Sequence, residues 1–198
     1  MELAILARHG ESALGARGLM NGDPTVANGL TPAGEAQARR LGEALSDVPL
    51  DLGVTSRFSR TRETLELALA GRDVPTLVLP DLDEIGFGSW EGAPAEGYLE
   101  WAWSNGPQEP VPGGGETRAD AVRRLARGFR AILSRPEATI LVVGHGLALR
   151  YLLNSVEGRD PEPRLDGVPL AEPISVGAAD FESALERLER WCQRPEFA

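Results

Sequence analysis

Short unbroken apolar runs alternate along this chain with segments whose apolar positions recur at helical spacing. Leu3-Ala4-Ile5-Leu6-Ala7 is one such run, and it stops abruptly at Arg8-His9-Gly10-Glu11. This pattern predicts a short buried strand. Leu50 to Thr55 and Thr76 to Leu79 predict a second and a third strand, and Thr139 to Val143 a further one, followed at once by Gly144-His145-Gly146. Ile174 to Val176 predicts an edge strand. Between the runs, Thr31-Pro32 is a helix start, with Thr as N-cap and Pro at the first helical position. That helix runs through Gln37 and Leu41 to the region of Leu45. Arg60 to Ala70 has helical composition, with Leu65 and Leu69 four apart on one face. Thr117 caps a helix whose Val122, Leu125, Ala126, Phe129, Ile132 and Leu133 form a single stripe. Leu147 to Leu153 and Phe181 to Trp191 are the remaining helices. Ser12 to Leu30, with Asp23-Pro24, and Pro161 to Pro173 read as loops. Residues 92–115 are rich in Pro and Gly, carry Trp101 and Trp103, and read as an irregular lid or insertion.

Strands alternating with helices imply an α/β layer fold with a mostly parallel sheet. The 198 residues correspond to one domain, 1–198, with length enough for a sizeable core. In such sheets ligands bind at the carboxyl ends of the strands. His9 and His145, the only two histidines of the chain, each follow a predicted strand and precede a glycine. They are expected on the same sheet edge. Arg57 and Arg60 follow the second strand, and Asp83 and Glu84 the third.

Composition narrows the chemistry. The net charge of −10 and the lack of a basic run oppose nucleic-acid binding, so any anionic ligand needs cations concentrated in a pocket. No stretch is long and apolar enough for a membrane span, and the start has no basic, signal-like region. Cys192 is alone, which rules out a disulfide framework. These features point to the cytoplasm. All 20 basic residues are arginine, which excludes a lysine Schiff base and a P-loop lysine.

Zinc is disfavoured, because the His and Asp/Glu spacing matches no zinc pattern and Arg8 would oppose a divalent cation. Gly113-Gly114-Gly115 before a helix resembles an anion cradle. Glu116 follows at once, and a flexible turn accounts for the triplet. Neutral imidazole, by contrast, is a competent nucleophile near pH 7. A transferring phosphoryl group needs fixed cations, and arginine forks bidentately onto its oxygens. A carboxylic acid can protonate the leaving alkoxide. His9, Arg8, Arg60, His145 and Glu84 supply such a set. Periodicity alone does not choose among Arg57, Arg60 and Arg62, nor does chemistry alone choose between Asp83 and Glu84.

These residues resemble the signatures of the histidine phosphatase superfamily, also called phosphoglycerate mutase-like. ARHGES at 7–12, LTPAGEAQA at 30–38, TSRFSRTRET at 55–64, LDEIGFGSWEG at 82–92, PGGGET at 112–117 and VVGHGLALRYLL at 142–153 match its motifs in order. The resemblance implies a three-layer α/β/α sandwich and a catalytic set of His9 as phosphorylated nucleophile, Glu84 as proton donor and His145 as second histidine. It implies Arg8, Arg60 and a backbone N–H at Gly146 as phosphate ligands, with no metal and no organic cofactor. Gly15 stands where the family often has Asn, which makes Asn21 a candidate substitute. Arg57 and Phe58 replace a small apolar pair, so Arg57 is expected as an extra cation near the pocket. Trp90 and Trp101 are candidate substrate contacts.

FGSWEG after Glu84 is similar to the phosphatase branch, which includes α-ribazole phosphatase-like proteins. The expected function is therefore hydrolysis of a small phosphomonoester. Mutase-type phosphoryl transfer and a non-catalytic phospholigand-binding protein on the same scaffold are the alternatives.

Overall fold

A computed structural model of the protein describes residues 1–197. The strands β1 (Leu3–Arg8), β2 (Leu52–Thr55), β3 (Thr76–Val78), β4 (Thr139–Gly144) and β5 (Ile174–Gly177) form one sheet in the order β3-β2-β4-β1-β5. β1 to β4 are parallel, and β5 joins β1 antiparallel. The helices are α1 (Pro32–Ala44), α2 (Ser59–Ala68), α3 (Ala95–Ser104), α4 (Arg118–Leu133), α5 (Gly146–Val156) and α6 (Ala178–Gln193).

Alternation along the strands divides the core into two layers. Ala4, Leu6, Leu52, Val54, Ile140 and Val142 share a buried cluster with Leu125 and Phe129 of α4, Leu152 of α5 and Phe181 of α6. Ile5, Ala7, Leu141 and Val143 point the other way and pack with Leu41, Leu65 and Ala68 of α1 and α2. Each fully buried Leu, Ile or Phe contributes about 1.5–3 kcal/mol. The three-layer α/β/α sandwich follows from this division. Thr31 and Thr117 act as the expected N-caps, accepting the N–H groups of Gly34 at 3.1 Å and Asp120 at 3.0 Å. Each such cap is worth about 1 kcal/mol. Among the described residues no helix is long and apolar enough to cross a membrane.

The segment 92–115 departs from the irregular reading, because it contains α3. Its Pro residues and all its Gly residues except Gly97 lie at the flanks, with Pro94 at the N-cap and Pro107 and Gly113 to Gly115 beyond the end. Within the helix, Tyr98 and Ala102 are one turn apart and buried, packed with Ile85, Phe87 and Val111. Trp101, on the same face, is partly buried against this cluster.

Candidate active site

The carboxyl edge of the sheet gathers the titratable groups. His9 follows β1 and His145 follows β4; these strands are paired neighbours, with Arg8 opposite Gly144. The two imidazole centroids are 5.4 Å apart, with the planes inclined at 64°. Ser56 and Arg57 follow β2, and Arg60 lies in the first turn of α2. Asp83 and Glu84 follow a 3-10 turn at Pro80–Leu82 beyond β3. The loop carrying His9 is pressed against the first turn of α1. A Cβ on Gly10 would stand 2.6 Å from Gly34 O, and one on Gly34 2.1 Å from Glu11 O, so both positions require glycine. Gly10 N–H also donates to Thr64 Oγ1 of α2 at 3.0 Å, and Glu11 N–H to Gln37 Oε1 of α1 at 2.8 Å.

His9 Nδ1 lies 2.7 Å from Gly10 O. A carbonyl only accepts, so the ring proton sits on Nδ1 and the lone pair on Nε2. That lone pair accepts from Arg60 Nε at 3.2 Å. Burial first, and then the Arg60 and Arg8 guanidinium groups, pull the His9 pKa down to about 3 despite the Gly10 hydrogen bond. The ring is neutral at physiological pH.

Arg60 is buried and spans the site. Its Nη1 donates to Asn21 Oδ1 at 2.7 Å, and its Nη2 to Asn21 O at 3.1 Å and to His145 Nδ1 at 3.2 Å. Burial lowers its pKa to about 10, which leaves it charged at neutral pH. Arg8 donates from Nη1 to Val168 O at 3.1 Å, while its buried Nε has no partner. Neither arginine is ion-paired among the described residues. Gly146 opens α5, and His145 is its N-cap. The N–H groups of a first helical turn are free to bind an anion.

The two acidic candidates separate cleanly. Asp83 is buried and bound by Arg57, through the backbone N–H at 2.9 Å, Nε at 2.7 Å and Nη2 at 2.6 Å. Glu84 turns inward instead: Oε1 accepts Ile85 N–H at 3.1 Å, and Oε2 lies 3.8 Å from His145 Nδ1. Burial raises the Glu84 pKa, against the opposing pull of Arg60, the Ile85 N–H, Arg8 and Arg124. His145 is held well below its usual pKa by burial, with Arg60 next in effect.

Three sequence expectations change here. Arg57 is committed to Asp83, and is not a free cation at the pocket. Trp90 and Trp101 do not line the cavity bordered by Arg8, Glu84 and Gly146; they pack behind Tyr98, at centroid distances of 5.8 and 6.2 Å. The cavity, of about 310 Å³, runs from Arg8, Glu84 and Gly146 to walls formed by Phe87, Tyr98, Trp103, Leu147 and Leu165. Asn21 is in the site, where it clamps Arg60 through two acceptors.

Two contributors escaped the sequence reading. Ser56 touches His145, and its place directly after β2 was an available signal. The 163–168 segment touches Arg8 through a backbone carbonyl, which any residue can supply, so no side-chain pattern marks it. Among the described residues no group of three or more His, Cys, Asp or Glu side chains is gathered as a metal site.

This arrangement is that of a known class. The sequence profile of the histidine phosphatase superfamily (branch 1) matches residues 4–194, and the chain belongs to that superfamily. The adenosylcobalamin/alpha-ribazole phosphatase of Salmonella typhimurium is 36% identical over 162 residues, covering 75% of this chain and 76% of the relative. The 2,3-bisphosphoglycerate-dependent phosphoglycerate mutase 2 of Gloeobacter violaceus is 30% identical over 174 residues, covering 82% and 78%. Among solved structures, a putative alpha-ribazole-5'-P phosphatase from Escherichia coli K-12 superposes with a TM-score of 0.70 at 32% identity, covering 80% of each chain.

Proposed function

We propose that the protein hydrolyses a small phosphomonoester through a phosphohistidine at His9. One observation carries this reading: the Nδ1–Gly10 O bond turns the Nε2 lone pair toward the buried Arg60, whose Nε it meets at 3.2 Å, with the half-buried Arg8 as a second nearby cation. In the first step Nε2 attacks phosphorus and the P–O bond to the alcohol breaks. Glu84 gives its proton to the departing oxygen, and Arg8, Arg60, His145 and the Gly146 N–H hold the phosphoryl oxygens. Water then attacks the phosphohistidine, returning a proton to Glu84 and releasing phosphate. An acid in this role must be protonated when substrate arrives, and burial acts on Glu84 in that direction.

The cavity supports hydrolysis of an uncharged alcohol's phosphate over isomerisation of an acidic one. Its walls are mainly apolar, and the cation deeper in, Arg118, is already bound to the carbonyls of Ala102, Asn105 and Pro163. A substrate carboxylate there would face Asp166 and would have to displace backbone carbonyls from Arg118 to reach a cation. The test is phosphate release by purified protein across a panel of phosphomonoesters, beside product analysis on 2- and 3-phosphoglycerate. Release that vanishes in His9→Ala is the expected result. Phosphoglycerate isomer formation without free phosphate, or undiminished release by His9→Ala, overturns it.

A further inference from the structure

A chain of three hydroxyl and carbonyl contacts lies behind His145, away from the cavity. Ser56 Oγ is 2.8 Å from His145 Nε2 and 2.8 Å from Thr61 Oγ1, and Thr61 Oγ1 is 2.9 Å from Phe58 O. Ser56, Thr61 and His145 are each 0% exposed. The proton positions can be solved from the far end. Phe58 O only accepts, so the Thr61 hydroxyl donates its single proton there. Thr61 Oγ1 then accepts from the Ser56 hydroxyl. Ser56 Oγ, having donated, accepts from His145 Nε2–H, and the Phe58 N–H also points at it, at 3.4 Å. His145 Nδ1 is left bare, which agrees with its accepting from Arg60 Nη2. His9 is the reverse case, with its proton on Nδ1. The only two histidines of the chain thus hold opposite tautomers.

We propose that Ser56 and Thr61 are positioning residues that keep His145 in the Nε2–H form, so that Nδ1 meets an arriving phosphoryl group as a proton acceptor. A phosphomonoester monoanion gives its proton to Nδ1: the P–O–H proton leaves oxygen, the N–H bond forms, and the ligand stays as a dianion beside an imidazolium. Nδ1–H then donates to that oxygen while Nε2–H remains on Ser56. Burial and the charges of Arg60, Arg8 and Arg124 oppose a proton on the ring in the free protein, and the dianion left beside it is what offsets them; His9 and Glu84 also neighbour the ring, and Phe58 packs edge-on to it at 4.7 Å. This uptake step rests on the hydrolytic reading above; the tautomer assignment does not.

Because only two imidazoles exist, protein labelled with ¹⁵N-histidine gives a spectrum simple enough to decide the matter. Long-range ¹H–¹⁵N correlation without ligand should show one Nδ1–H ring and one Nε2–H ring, the His9 set identified by its loss in His9→Ala. Saturating inorganic phosphate should convert the Nε2–H ring to the doubly protonated form. Two Nδ1–H rings, or a His145 already doubly protonated without phosphate, overturn the proposal. Thr61→Val removes the end of the chain and should mix the His145 tautomers and lower kcat/KM by up to about tenfold, the scale of one lost hydrogen bond. Thr61→Ser should restore both. A Thr61→Val protein whose His145 spectrum is unchanged also overturns it. If that variant does not fold, the wild-type spectrum alone decides. A correct tautomer pair in a protein that releases no phosphate would sink the hydrolytic reading and leave the assignment standing.

Discussion

Glu84→Gln separates the two halves of the proposed cycle. The substitution removes one titratable proton and changes little else. The side-chain amide oxygen can still accept Ile85 N–H, as Oε1 does now at 3.1 Å. What changes is the atom facing the imidazoles, Oε2, 3.8 Å from His145 Nδ1. An amide nitrogen there can neither supply nor take up a proton. A positioned general acid or base contributes about 10²–10⁴-fold, which is about 2.7–5.4 kcal/mol of barrier at 1.36 kcal/mol per decade. An alkyl phosphate, whose leaving alkoxide is strongly basic, should show this whole loss in its first step. p-Nitrophenyl phosphate should not, because nitrophenolate departs unprotonated. Its phosphohistidine should then form at near-normal rate and persist, since water attack still lacks a base. Stopped-flow absorbance should record a burst of about one nitrophenolate per active site followed by a slow phase, the pattern of covalent catalysis with slow turnover of the intermediate. Loss of equal size on both substrates with no burst refutes the assignment. The fold itself should not suffer. A carboxyl whose pKa is raised on folding stabilises below its unfolded value and loses that contribution as pH rises, so the amide should be no less stable than wild type at pH 8.

Arg60→Lys cannot span Asn21 and both imidazoles with one ammonium, and kcat/KM should fall about 100-fold, the cost of losing a bidentate cation at the reacting centre; steady-state rates equal to wild type would remove Arg60 from the reaction. The profile of kcat/KM against pH should show no loss from His9 protonation until the pH approaches about 3. It should show a basic limb as Glu84 ionises, at a pH above the ordinary carboxyl range, and a limb that survives in Glu84→Gln would contradict this. Gly34→Ala places a methyl 2.1 Å from Glu11 O, so α1 must shift from the His9 loop. Denaturant unfolding should register a loss of about 1–3 kcal/mol, and an unaltered midpoint would show that the contact is not tight.

The strands and helices that carry the site were legible because their signals are local. β1 and β4 are unbroken apolar runs that end where charge begins, and Thr31 and Thr117 cap the helices they were expected to cap. The alternation of elements puts His9 and His145 on one edge together with Arg57, Arg60, Asp83 and Glu84, and the family motifs single out Arg60 and Glu84 among them. Helix α3 was hidden because a glycine- and proline-rich window averaged over its flanks and its interior, although Tyr98, Trp101 and Ala102 hold helical spacing within it. Arg57 was misplaced for another reason. Its partner Asp83 is remote in sequence, and nothing nearby announces that the charge is neutralised. The tryptophans were visible as candidates, but whether a ring faces the cavity or backs Tyr98 is decided by tertiary packing. The contact from Val168 to Arg8 is made by main chain alone and has no sequence signature.

Because β1 and β4 are nearest neighbours, the backbones that carry the two histidines leave the sheet side by side, at the spacing of adjacent strands, about 4.8 Å in any sheet. The groups around the leaving alcohol have no such anchor, since Tyr98 and Trp103 come from α3 and Leu165 from a connection between α5 and β5. Substitutions in those two stretches can therefore remould the alcohol's half of the cavity while the phosphorus-facing half keeps its dimensions. A lineage that duplicates this scaffold inherits the bond-breaking geometry intact and needs to alter only what that geometry is offered.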